Sequence, residues 1–302
     1  MRRDLVREVA ELAWPAILQG LLTTVIFFTD RLLLGTYSDE ALGSMQVSGP
    51  VLWSVFSVLA AFSAGTMAII GRSVGAGDHS RVHETLLTVL ALSAGVGTCV
   101  TLVALASTEE IAAVMAGGAG TSDAMRSLSV EYMDIVFCVA PLSFMAASGV
   151  VALQAGGDTR SPMWISGVCG FSNLLVSWVL IFGHFGAPEL GITGAAIGSV
   201  LAIVIQVVLV GGVLWRAKGP VTLRPLRRPT LAPLWPLLRV SWPTFGEKAI
   251  FHTGFLLFAG FVGYLGDVAM TANQSLIAIE SLGFMISFGF GIASSSLVAQ
   301  KL

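Results

Sequence analysis

Charge is scarce in this chain. Of 302 residues, 18 are Asp or Glu and 16 are Lys or Arg, so charged residues make up 11 %, well under the roughly 25 % of an average soluble domain. Hydrophobic residues make up 55 %. A soluble fold of this size has too few polar groups here to cover its outside. Disorder is excluded, because disordered chains are poor in apolar residues. Lipid is therefore the solvent for most of the chain. The three cysteines, Cys99, Cys138 and Cys169, lie far apart in apolar runs with no CxxC pair, which excludes a disulfide framework or zinc site. The net charge is −2 and there is no basic tract, so no nucleic-acid partner is expected. HExxH, GxSxG and GxGD motifs are missing, which argues against an enzyme. No GxxxxGK[ST] is present, so ATP is not expected to drive the protein directly.

Long apolar runs are what the chain does have. About 20 apolar residues cross a bilayer core, and eight such runs are present, at roughly 9–36, 43–72, 84–106, 129–154, 162–183, 190–215, 240–264 and 268–299. The first is too long for a signal-peptide core. Turn residues punctuate them, among them Gly75-Ala-Gly-Asp78 and Gly156-Gly-Asp158. The ten-residue alternation of a transmembrane barrel is absent. With the N-terminus inside, the inner segments hold 13 of the 16 Lys and Arg residues, and the outer loops hold only Arg126. That asymmetry sets the orientation.

An internal repeat accompanies the spans. Residues 12–74 align without a gap to 240–302, and nine of the 63 positions are identical. Trp14-Pro15 matches Trp242-Pro243, Asp39 matches Asp267 and Gln46 matches Gln274. Six spans separate the copies, an even number, so the copies run parallel, as in some transporters. The reading is an N-terminal six-helix lobe over 1–215, a cytoplasmic linker over 216–239, and over 240–302 the first two helices of an incomplete C-terminal lobe. About four further spans would complete the second copy.

Ionisable residues inside spans are functional hypotheses by default. Asp30 lies about 9 Å inside the outer end of span 1, counted at about 1.5 Å per residue. Asn173 and Ser177 on span 5 and Ser199 on span 6 fall in the same depth band. Their oxygens suit Na⁺, or a proton relay in which Asp30 titrates. Arg31, the neighbour of Asp30, points about 100° away around the helix. Pro15 removes a backbone hydrogen bond from span 1 and is expected to kink it. In the second copy, Glu247 follows Pro243 by one turn, and Glu280 lies near mid-membrane with Gln274 as a neighbour. These three are candidates for a substrate site or a second proton site. Glu131 and Asp134 are expected to face water or the mouth of a cavity, and His252 is read as a packing residue.

Four stretches resemble the multidrug and toxic compound extrusion family of cation-coupled exporters, across the whole chain as the first eight of that family's twelve helices. They are Trp14-Pro15 with Phe28-Thr-Asp-Arg-Leu-Leu-Leu-Gly35, Gly71-Arg-Ser-Val-Gly-Ala-Gly-Asp78, Leu153-Gln-Ala-Gly-Gly-Asp-Thr-Arg-Ser-Pro162, and Asn173 through Gly183 with Gly191-Ile-Thr-Gly-Ala-Ala196. The resemblance implies an all-α, two-lobed polytopic membrane protein. It implies a secondary antiporter that exports cationic or amphipathic small molecules in exchange for H⁺ or Na⁺, working as a monomer in the bacterial inner membrane without another cofactor. It also implies coupling through Asp30 with Asn173, Ser177 and Ser199. Some members carry a second Asp where Ser177 stands and a Thr where Ser199 stands. The lost carboxylate shifts the expectation toward protons. A lipid-linked precursor flippase and an inactive remnant are the alternatives. The flippase ranks lower because only Arg31 and Lys248 supply positive charge within the spans.

Overall fold

The computed structural model describes residues 2–116, 123–216, 219–225, 229–264, 276, 280, 283, 287, 290–295 and 298–299. Among the described residues the regular structure is helical. The order is α1 (Arg2–Tyr37), α2 (Asp39–Leu59), α3 (Phe62–Gly75), α4 (His79–Ala116), α5 (Asp123–Cys138), α6 (Ala140–Ala155), α7 (Arg160–Phe182), α8 (Ile192–Trp215) and α9 (Leu234–Tyr264). The molecule is an all-α polytopic membrane bundle. Among the described residues, five stretches are long and apolar enough to span a bilayer: α1, α2 with α3, α4, α7 and α8. The bent pair α5 and α6 makes a sixth. α9 has the length of a span, but Arg239, Glu247, Lys248 and His252 dilute its apolar character. Most of the expected eighth span lies outside the described residues.

Lipid as solvent explains the outer faces. Trp164, Phe171, Leu102 and Val208 are each at least 65 % exposed, a pattern water would not tolerate. Between helices, where burial in lipid supplies little drive, small residues and hydroxyls set the packing. Backbone groups must be satisfied within the protein. The turns show how. After α3 and after α6 the chain closes in the same way. Gly77 (φ 70°) and Gly157 (φ 88°) take the left-handed conformation that a side chain resists. The next residue's N–H bonds back to Ser73 O or Leu153 O, at 2.9 Å in both cases. Asp78 Oδ1 then accepts the Arg81 N–H at 3.0 Å, and Asp158 Oδ1 accepts the Ser161 N–H at 2.9 Å, starting the next helix.

Two spans are broken where the apolar pattern predicts continuous helices. One break falls at Ala60-Ala61. The other falls at Val139, where α5 and α6 meet at 56°. Pro141 explains the second. It has no N–H for the Phe137 carbonyl four residues earlier. The Thr101 hydroxyl of α4 donates to that carbonyl instead, at 2.7 Å. Gly97 lets α4 come this close, since a methyl there would strike Pro141. By contrast, α1 and α9 run through Pro15 and Pro243 as unbroken helices.

α9 begins at Leu234, earlier than the expected 240, and the segment before it is pinned. The Thr222 carbonyl lies 2.9 Å from His83 Nδ1, and Thr88 donates to the Thr230 carbonyl at 2.8 Å. Val221 is buried among Leu153, Ile165 and Leu214.

Candidate functional site

α1, α7 and α8 meet at a close junction, and glycines allow the approach. A methyl built on Gly194 of α8 would lie 2.7 Å from the Leu180 carbonyl carbon and 2.8 Å from the Ile181 nitrogen of α7. At Gly198 it would strike the Ser177 hydroxyl and lie 3.3 Å from the Asn173 carbonyl oxygen. At Gly170 of α7 it would collide with Ile26 of α1. Backbones this close bring short polar side chains from three helices together.

Asp30 of α1 is half-buried at this junction, and Asn173 of α7 is buried beside it. The orientation of the Asn173 amide that satisfies both of its ends places Nδ2 on the carboxylate. It donates to Asp30 Oδ1 at 2.9 Å and Oδ2 at 3.2 Å, while Oδ1 accepts the Ser199 N–H at 3.1 Å. The Ser199 hydroxyl lies 3.3 Å from that same end of the amide. Tyr132 of α5 stands against Ser199, within electrostatic reach of Asp30 and Arg31. The Arg31 guanidinium lies beside α2, where a methyl on Gly49 would sit 3.0 Å from it. The site is thus one acid held through an amide to the backbone of α8, with a phenol and a guanidinium nearby.

Three of the four predicted coupling residues therefore meet. Ser177 does not join them. Its hydroxyl is fully buried against Gly198, with no hydrogen-bond partner among the described residues. The expectation is corrected on physical grounds: Ser177 is one turn, about 6 Å, beyond Asn173, and the carboxylate lies at the level of Asn173. Glu131 and Asp134 do not simply face water. Thr193 donates to Glu131, and Thr108 donates to Asp134 at 2.7 Å. Glu247 and Glu280 are exposed positions on helices and do not join the Asp30 group among the described residues. Gln274 lies outside the described residues. Tyr132 was missed because nothing in a sequence places α5 against α8.

A second polar group lies where α9 packs antiparallel on α2 and α3. Its rungs run in order: Phe245 with Phe62, Lys248 with Ser57, His252 with Ser54, and Phe255 with Trp53. His252 packs here, as read from the sequence, and also carries a hydrogen bond. His252 is buried, its Nδ1 lies 3.2 Å from the Ser54 hydroxyl, and its ring stands edge-on to Trp53 at 4.4 Å.

Comparison with known proteins decides the family. The MatE family model matches residues 15–179 and 243–302. This chain belongs to the MatE family. Its MatE relatives include a probable multidrug resistance protein NorM of Thermotoga maritima, 30 % identical over 258 residues, which cover 84 % of this chain and 54 % of that protein. An FAD transporter of Shewanella oneidensis is 28 % identical over 212 residues, covering 68 % of this chain and 44 % of that one. The MatE chain described here spans about half the length of these curated relatives. Its fold matches the outward-facing conformation of a multidrug resistance MATE family transporter with a TM-score of 0.85, at 20 % identity, over 97 % of this chain and 65 % of that one.

Proposed function

We propose that the protein is the exporting half, or more, of a secondary antiporter that carries amphipathic small molecules, cationic ones among them, against a proton gradient taken up at Asp30. The observation that carries the proposal is the Asn173 amide bonded at once to the Asp30 carboxylate and to α8. Family membership and relatives described as multidrug resistance proteins support the export reading. Protonation of Asp30 weakens one of the two amide bonds, since a neutral carboxyl offers a poorer second acceptor. That change loosens α1 from α7 and α8, which is the element a coupling ion has to bias.

The same geometry supports H⁺ over Na⁺. A sodium ion needs oxygen ligands, yet the amide turns N–H groups, not oxygen, toward the carboxylate. The second carboxylate of other members is replaced by Ser177, whose hydroxyl is turned to Gly198. The Lys and Arg asymmetry supports an inner-membrane protein with a cytoplasmic N-terminus, testable with a topology reporter fused at residue 2.

The deciding experiment is dye efflux from an efflux-deficient bacterial host and from vesicles under separate H⁺ and Na⁺ gradients. Asp30→Asn is expected to abolish export, and an imposed H⁺ gradient alone to drive it in the parent. Export that persists in Asp30→Asn sinks the reading, and export driven by Na⁺ alone replaces the ion.

A further inference from the structure

Lys248 is an ammonium in the middle of a membrane helix. Its ammonium faces Ser57, which lies midway along the span of α2 with α3, 18 residues from Asp39 and 18 from Gly75. That is too deep to snorkel to either interface or to meet a lipid headgroup. Among the described residues no carboxylate pairs with it, and its ammonium reaches only the Ser57 hydroxyl, at 3.4 Å. Glu247, its neighbour in sequence, is turned about 100° away around the helix. A charge at this depth calls for an anion, and among the described residues its partner is a neutral hydroxyl. His252 stands one turn further along the same face. Trp53 lies over His252 and is 46 % exposed, so indole surface is open beside the two nitrogen bases. Phe251 and Phe255 flank the same indole at 6.4 and 4.9 Å.

We propose that Lys248 and His252, facing Ser57 and Ser54 across the seam of α9 with α2 beside the open indole of Trp53, form a subsite for the anionic group of an aromatic small molecule. The anion takes the ammonium and the imidazole N–H as charge-assisted donors, and the ring lies on the indole. The subsite rests on the export reading in one respect: its ligand is a small molecule that the protein carries. It differs from the reading in the sign of the group bound, because a cation brought to Lys248 is repelled.

Three probes that share one ring and differ in charge test it: 1-naphthyl phosphate, 1-naphthol and 1-naphthylmethylamine. They are titrated by calorimetry into the purified full chain in detergent. The phosphate is expected to bind about tenfold more tightly than the neutral ring, the scale of one charge-assisted contact, and the amine no more tightly than the neutral ring. Lys248→Gln is expected to bring the phosphate down to the level of 1-naphthol, Lys248→Arg to keep the preference, and Trp53→Leu to weaken all three probes. A phosphate that binds no better than 1-naphthol overturns the proposal, and so does a preference that survives Lys248→Gln. If Lys248→Gln does not fold, the ranking of the probes on the parent protein decides. Asp30→Asn separates the two readings. Loss of export there with no phosphate preference leaves the exporter standing without this subsite. A phosphate preference with export indifferent to Asp30 does the reverse.

Discussion

The junction of α1, α7 and α8 and the seam of α9 with α2 hold polar groups in opposite ways. At the junction, Asp30 has a built-in partner: two amide N–H contacts at 2.9 and 3.2 Å, themselves anchored to α8 backbone. Glycines let the backbones touch. At the seam, Lys248 has one hydroxyl at 3.4 Å, and aromatic edges do the packing. The difference teaches where a ligand is needed. A charge whose partner is part of the fold can serve as a switch, because changing its protonation changes a contact the fold already has. Lys248, whose partner among the described residues is a neutral hydroxyl, is the charge for which a ligand is proposed.

The sharpest way to break the comparison is to fill the close contact at the junction. In Gly194→Ala the new methyl meets Leu180 and Ile181 backbone atoms, which cannot rotate away. Overpacking of this kind costs about 1–3 kcal/mol. The expected result is a clear fall in the thermal unfolding midpoint together with loss of Asp30-dependent export. Gly211 of the same helix has nothing within 4 Å, so Gly211→Ala should leave export intact and gain about 0.5–1 kcal/mol from helix propensity. Equal losses at both positions would mean that close approach is not what these glycines supply.

A step smaller is the amide. Asn173→Leu leaves the carboxylate and the Ser199 N–H without this partner, at a cost of about 1–3 kcal/mol for buried groups left unpaired. Export should fall with it. Ser199→Ala keeps the backbone N–H and should lose far less. Dye efflux and unfolding midpoints, measured side by side, distinguish an electrostatic role from packing.

How far the sequence could be read follows the same division. The spans were legible because each is an unbroken apolar run of membrane length, and the turns because Gly-Asp pairs cap and restart helices. The breaks at Ala60-Ala61 and Val139 were not, since the apolar runs pass through them without interruption. Pro141 was the signal at Val139, yet Pro15, Pro50 and Pro243 sit inside continuous helices, so proline alone does not mark a break. Counting depth put Asp30, Asn173 and Ser199 at one level. The same count misplaced Ser177, because a depth band about one helical turn thick is too coarse to separate two residues on one face. The seam was illegible altogether. Lys248 and His252 acquire meaning only once α9 is known to lie on Ser54 and Ser57.

Gly198 offers a subtler test of why Ser177 is where it is. A methyl at Gly198 would strike the Ser177 hydroxyl, which bonds to nothing among the described residues, whereas the neighbouring backbone atoms are 3.1 and 3.3 Å away. Most of the clash therefore comes from one oxygen. Gly198→Ala alone should destabilise by about 1–2 kcal/mol, and in a Ser177→Ala background by less, so the two changes couple by about 0.5–1 kcal/mol. If Ser177 instead ligates the coupling ion, Ser177→Ala by itself should impair export at unchanged stability, and no rescue of Gly198→Ala should appear.

The smallest expected effect concerns the break between α5 and α6. Thr101→Val removes the hydroxyl that satisfies the Phe137 carbonyl freed by Pro141. With no water at that depth, the orphaned carbonyl costs about 1 kcal/mol. Pro141→Ala restores an N–H for Phe137 and should absorb that loss, so the double variant should be nearly as stable as Pro141→Ala alone. Additive losses in unfolding midpoints would show that Thr101 supports α4 for another reason. Coupled losses would show that the bend is held by a bond across helices, just as Asp30 is held by one across α7 and α8, and as Lys248 is not.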